Sequence, residues 1–185
     1  MAKTLTGKTP KEKSILTTQS YDFLRNYINN PSPVGFETSG QKIWLKYLQP
    51  YVQETYSDPY GTAVGVINPA APFKVVIEAH ADEISWFVNY ITAEGLLYLK
   101  RNGGVDHQVA PGQRVIIHGK KGPVKAVFGW PAIHTRINSP ETKEPVPKVD
   151  NLFLDTGARS KKELEDLGVH IGAVATYQDG FDELV

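Results

Sequence analysis

The sequence contains no cysteine, which excludes disulfides and thiol nucleophiles and is compatible with a reducing compartment. It also lacks net charge, since 20 basic residues balance 20 acidic ones. Neither broad attraction to nucleic-acid phosphates nor electrostatic attachment to anionic lipid is implied. No apolar run approaches the length of a membrane span, and the polar opening MAKTLTGKTPKEKS leads into no apolar segment of signal-peptide type. A cytoplasmic protein without nucleic-acid or membrane partners is expected. The basic cluster at Lys11 to Lys13 reads as a solvated, frayed terminus and is given no function.

What remains is the composition of an ordinary globular protein, with 41% hydrophobic and 22% charged residues over 185 positions. A sizeable core and one or two domains are expected. Tyr21, Leu24 and Ile28 form an apolar helical stripe that ends before the breaker Asn29-Asn30-Pro31-Ser32-Pro33. A second helix after Gly35 pairs Ile43 with Tyr47 and Trp44 with Leu48, and Pro50 marks its end. These residues are core candidates. Asp58-Pro59-Tyr60-Gly61 signals a turn between strands, the second being TAVGVI.

From about Trp86 the pattern changes to short β-rich runs, FVNYI, LLYLK, QRVIIH and VKAVF, separated by Glu94-Gly95, Gly103-Gly104 and Gly119 to Gly122. This spacing predicts a small β-barrel or sandwich. The Pro-rich, charged stretch from Trp130 to Asp150 reads as a loop. Ser160-Lys161-Lys162-Glu163 fits a capping box, with Gly168 as the helix stop and Leu164 and Leu167 turned toward the β module. GAVATY is a closing strand.

The candidate site lies in FKVVIEAHADEISWF, residues 73–87. Val75, Val76 and Ile77 suit a strand buried on both faces, which places His80, Asp82 and Glu83 at its carboxyl end, where open α/β sheets bind ligands. A neutral imidazole can bind a metal through one nitrogen while its other N–H donates to a carboxylate. His80 and Asp82 can share a pocket if the strand continues through Asp82, and Glu83 then faces away. On spacing alone, a hydrogen-bonded structural histidine is the more common reading. Zinc needs three or four ligands, and no other ligand set is evident.

His107, His118, His134 and His170 form no zinc-spaced pair, and a structural role is preferred for His118 and His134. The glycines of GGVDHQVAPG lack the strand-to-helix context of a phosphate loop. No nucleophile elbow is present. Asp82 and Glu83, on opposite faces of a strand, do not suit glycoside cleavage.

The ordered series NPSPVGFE, DPYGTAVGVI, AHADEIS, GGVDHQVAPGQRVIIHGKKG and VPKVDNLFLDTGARSKKELEDLGVHIGAVATY resembles the tetrahedral aminopeptidases. These form family forty-two of the metallopeptidases and include glutamyl and deblocking enzymes. The resemblance covers nearly all of the chain beyond Asn30. It implies an α/β fold, the start of a metallopeptidase catalytic domain with helices and a mixed sheet, into which a small β-barrel-like dimerisation domain is inserted. The implied divisions are 1–86, 87–178 and a return segment 179–185. The implied activity is hydrolysis of N-terminal residues from a peptide by water activated on two divalent metals, zinc or cobalt.

By the same resemblance His80 is a metal ligand and Asp82 its catalytic orienting partner, and the assembly is a homo-oligomer, a dimer through the β domain and a twelve-subunit shell beyond that. Three residues depart from the family pattern: Ala81 for Met, Ser85 for Gly and Thr62 for Asn. The family's bridging aspartate, catalytic glutamate, further carboxylate and last histidine lie beyond the equivalent of Val185. The chain is therefore expected to carry part of a site and to be inactive alone. The alternative is a non-catalytic β-rich oligomerisation module or a truncated homologue.

Overall fold

The computed structural model describes residues 16–137 and 145–184. The basic cluster at Lys11 to Lys13 and the middle of the Trp130 to Asp150 stretch lie outside them.

Two helices open the chain. Helix α1, Thr18–Ile28, starts where the Thr17 hydroxyl accepts from the N–H of Ser20, satisfying one of the free donors of a helix N-terminus. Helix α2, Thr38–Leu48, gives way at Pro50 to a short 3-10 turn, Gln49–Tyr51. The two helices meet through Phe23 and Tyr47, whose rings stack at 4.0 Å. The contact runs through Phe23 rather than the expected stripe, whose Ile28 is 51% exposed, and Ile43, Trp44, Tyr47 and Leu48 are only half-buried. The core proper lies elsewhere.

A hairpin follows, of β1, Glu54–Ser57, and β2, Ala63–Val66, paired antiparallel with Tyr56 opposite Val64. Asp58 makes the turn: its Oδ1 accepts from the N–H groups of Tyr60 and Thr62, both at 2.9 Å. The Thr62 amide is the main cause of a carboxyl held below its ordinary value. Thr62 therefore belongs to this turn. α2 packs on β2, where a side chain at Gly65 would meet Leu48.

The remainder is a closed antiparallel barrel of six strands: β3, Ser85–Ile91; β4, Leu97–Asn102; β5, Arg114–Gly119; β6, Gly122–Gly129; β7, Phe153–Asp155; and β8, Val174–Tyr177. The order around it is β3-β4-β7-β6-β5-β8, with β8 pairing back onto β3. Closure removes the free strand edges that an open sheet exposes. Inward positions alternate, as a period of two requires: Trp86 and Val88 on β3, Leu97 and Leu99 on β4, Val115 and Ile117 on β5, all buried. Trp86 occupies the interior, edge-on to Phe128 at 4.7 Å and to Tyr177 at 5.0 Å.

Between β6 and β7 the chain forms a one-turn helix α3, Ile133–Arg136, and a 3-10 turn, Val149–Asn151. Helix α4, Lys161–Asp166, precedes β8 and carries Leu164 into the barrel core. Ser160 caps it by accepting from the Glu163 N–H. The Glu163 carboxylate reaches back to the Arg159 N–H, one residue earlier than a capping box would place it. Gly168, at φ 88°, ends it. Leu167, which the pattern turned inward with Leu164, is 47% exposed, because α4 has already ended at that residue.

The fold class of helices, sheet and barrel is as expected, with one element missing. Val75, Val76 and Ile77 form no strand, and each is exposed. An apolar run becomes a buried strand only when neighbours pair with its edges and cover its faces. Among the described residues no strand lies beside it.

Candidate functional site

His80 and Asp82 stand on the irregular segment between the β1–β2 hairpin and the barrel, and they do come together. The His80 Nδ1 is 3.2 Å from Asp82 Oδ1 and 3.1 Å from the Asp82 carbonyl oxygen. Both neighbours are acceptors, so Nδ1 carries the proton and donates. The lone pair of Nε2 is left available, and the His80 side chain is 84% exposed against 37% for Asp82. This is the arrangement of a metal-binding imidazole whose second nitrogen is tied to a carboxylate. It leaves one imidazole nitrogen, Nε2, free to bind. No group of three or more His, Cys, Asp or Glu able to hold a metal occurs among the described residues.

Glu83 points elsewhere and has a role that the sequence did not disclose. Its Oε1 accepts from the Ser32 N–H at 2.7 Å. The main chains run together at the same place, with the Glu83 N–H donating to the Ser32 carbonyl at 2.8 Å and the Val34 N–H to the Glu83 carbonyl at 3.3 Å. Pro33 and Glu83 form an isolated parallel bridge. Burial pushes the Glu83 carboxyl above its ordinary value, partly opposed by the Ser32 amide. Beside it opens a cleft of about 160 Å³ whose walls include Asn29, Glu83, Thr176 and Asp179 and neither His80 nor Asp82.

The same junction accounts for Ser85. Its side chain is fully buried, and its hydroxyl accepts from Asn102 Nδ2 at 2.8 Å; that amide also donates to the Val34 carbonyl at 3.0 Å. A buried hydroxyl is tolerated when it is hydrogen-bonded. The loop at Ser32 to Val34, the segment ending at Glu83 and the start of the barrel are thus tied into one piece. Nothing in the structure explains Ala81.

Of the remaining histidines, His118 bonds through Nε2 to the Thr176 hydroxyl at 3.0 Å, and burial holds its pKa below the ordinary value. His170 bonds the Ile171 carbonyl through Nδ1 at 2.8 Å. Near the end of the described chain, the Phe181 N–H donates to Asn29 Oδ1 at 2.8 Å, so the segment after β8 returns to the end of α1.

The fold is that of a solved aminopeptidase. A TET aminopeptidase from the marine sediment archaeon Thaumarchaeota archaeon SCGC AB-539-E09 superposes with a TM-score of 0.83 at 27% identity, over 90% of this chain and 46% of its own. M42 glutamyl aminopeptidase is the family that matches, over residues 61–185, and the chain belongs to that family. Lysyl aminopeptidase of Pyrococcus furiosus is 28% identical over 167 residues, which are 89% of this chain and 47% of the relative. The TET1 peptidase of Pyrococcus horikoshii, 24% identical with a TM-score of 0.67 over 88% of this chain and 47% of its own, shows the fold alone; it assembles into a tetrahedron or a large octahedral shell. The chain spans about half the length of the relatives it matches. No described helix is long and apolar enough to cross a membrane.

Proposed function

We propose that the chain carries the first part of a metal-dependent aminopeptidase, with His80 as a metal ligand and Asp82 as the residue that orients it. The observation that carries this reading is the His80–Asp82 contact, which fixes the ring with Nε2 outward. Divalent ions bound in the complete site, zinc or cobalt, would lower the pKa of a water and polarise the scissile carbonyl. His80 would hold one such ion through Nε2. Asp82 would keep the proton on Nδ1 and raise the basicity of the ring.

Two ions require several carboxylates and imidazoles, and among the described residues no set of three is present. The proposal takes the chain to be inactive alone. The peptide substrate and the homo-oligomer, a dimer through the barrel and a twelve-subunit shell beyond that, belong to the complete protein. The proposed compartment is the cytoplasm. A second reading, a non-catalytic oligomerisation module, is favoured by the same missing ligand set.

The test is hydrolysis of aminoacyl anilides by the protein assembled with the remaining part of the family chain, with chelator and then zinc or cobalt added back. The proposal expects loss and recovery of activity, and no recovery in His80→Ala. Activity indifferent to the chelator would refute it.

A further inference from the structure

The His80 ring and the loop between α1 and α2 bond to opposite ends of one peptide unit, and we propose that Ser32 and Glu83 are positioning residues that aim His80 through it. The carbonyl of that unit, on Asp82, lies 3.1 Å from His80 Nδ1, which donates to it. Its N–H, on Glu83, donates to the Ser32 carbonyl at 2.8 Å. The bond is trans, so the two groups lie in one rigid plane and point in opposite directions. Whatever pins the N–H also sets the carbonyl.

The far side of the unit is well held. Glu83 Oε1 accepts from the Ser32 N–H at 2.7 Å, and the Val34 N–H donates to the Glu83 carbonyl at 3.3 Å. Ser32 is buried, and its hydroxyl accepts from Asn30 Nδ2 at 3.3 Å. The same amide donates to Ser39 Oγ at 2.9 Å, on α2, and a side chain on Gly40 would meet the Ser32 hydroxyl. The near side has no such support. The His80 side chain is exposed, so its direction rests on the two acceptors that Asp82 offers to Nδ1. The Asp82 carboxylate turns about its own side-chain bonds, whereas the carbonyl turns only with the backbone that Ser32 and Glu83 pin. Glu83 thereby aims the imidazole, and so the direction of Nε2, without touching it. That the aimed ring is a metal ligand rests on the aminopeptidase reading; that it is aimed rests on the peptide unit.

The experiment reads the His80 tautomer from nitrogen-15 shifts of the metal-free 185-residue chain, at about pH 9, where imidazoles are neutral. It is done in Asp82→Ala, where the backbone carbonyl is the acceptor left facing Nδ1. Adding Glu83→Ala should lower the share of rings protonated at Nδ1 by about twofold or more, as weakening one hydrogen bond does. Adding Glu83→Gln, whose amide oxygen still accepts from Ser32, should leave the share near that of Asp82→Ala alone. Ser32→Gly, which drops the Asn30 contact and loosens the loop, should lower it with Glu83 intact. Ile117→Val, a loss of packing in the barrel core, should not change it, which separates aiming from general loss of stability. An unchanged share in Glu83→Ala, or in Ser32→Gly if the first does not fold, overturns the proposal, as does an equal fall in Ile117→Val. A tautomer that depends on Glu83 in an assembled protein whose activity ignores chelator would leave the positioning intact and refute the aminopeptidase reading. Chelator-sensitive activity with a tautomer indifferent to Glu83 would do the reverse.

Discussion

Glu83 accepts a hydrogen bond from the backbone of Ser32, 51 residues earlier in the chain, and the two main chains pair at the same point. This contact is where the helical opening segment is fastened to the barrel. It also fixes the residue that follows Asp82, so the site segment is anchored at its carboxyl side.

Removing the acceptor should therefore be felt. Ser32 is buried, and a buried amide left without a partner costs about 1–3 kcal/mol. Glu83→Ala is expected to lower stability by that amount, whereas Glu83→Gln keeps an acceptor oxygen and should lose much less. Urea denaturation of the two variants measures the difference, and equal losses would show that the side-chain contact is idle.

The His80 ring should exist in one tautomer, because both groups facing Nδ1 are acceptors. Nitrogen-15 shifts are expected to show a protonated Nδ1 in the wild type and a smaller share of that tautomer in Asp82→Ala, which keeps only the backbone carbonyl acceptor. In the assembled protein the same substitution should weaken metal binding by roughly 10–100-fold.

Burial sets a pH dependence at His118, whose pKa lies below the ordinary 6.5. The folded state favours the neutral ring, so the unfolded chain binds the proton more readily. The stabilisation is complete above pH 6.5 and is lost as pH falls through the depressed value. Thermal unfolding of the wild type should therefore weaken more steeply below that pH than that of His118→Asn. Parallel curves would remove His118 from the account.

On helix α4 two leucines separate burial from sequence pattern. Leu164 is fully buried and Leu167 is half exposed. Leu164→Ala should cost about 2–5 kcal/mol through lost packing and the cavity left behind, and Leu167→Ala no more than about 0.5 kcal/mol. Chemical denaturation of both decides it.

The barrel was readable because its signals are local. Alternation, glycine turns and the Ser160 cap each act within a few residues, and β3 to β6 and β8 fall on the runs they mark. β7, of three residues, escaped because so short a run carries no period. The Ser32–Glu83 clasp escaped too, since the Asn-Pro-Ser-Pro stretch signals only a break and its partner lies far along the chain. Val75 to Ile77 show the opposite case: the local preference for a strand is plain, but pairing is non-local and no described strand meets it. His80 and Asp82 were legible as a pair through their spacing, and the metal-site role proposed for them came from the family pattern.

The most direct test of the central claim is an aminopeptidase assay of this chain alone, with zinc or cobalt supplied. With His80 proposed as a single ligand and no set of three among the described residues, no turnover is expected. Turnover that vanishes in His80→Ala would show that this chain holds a complete site, and would contradict the account.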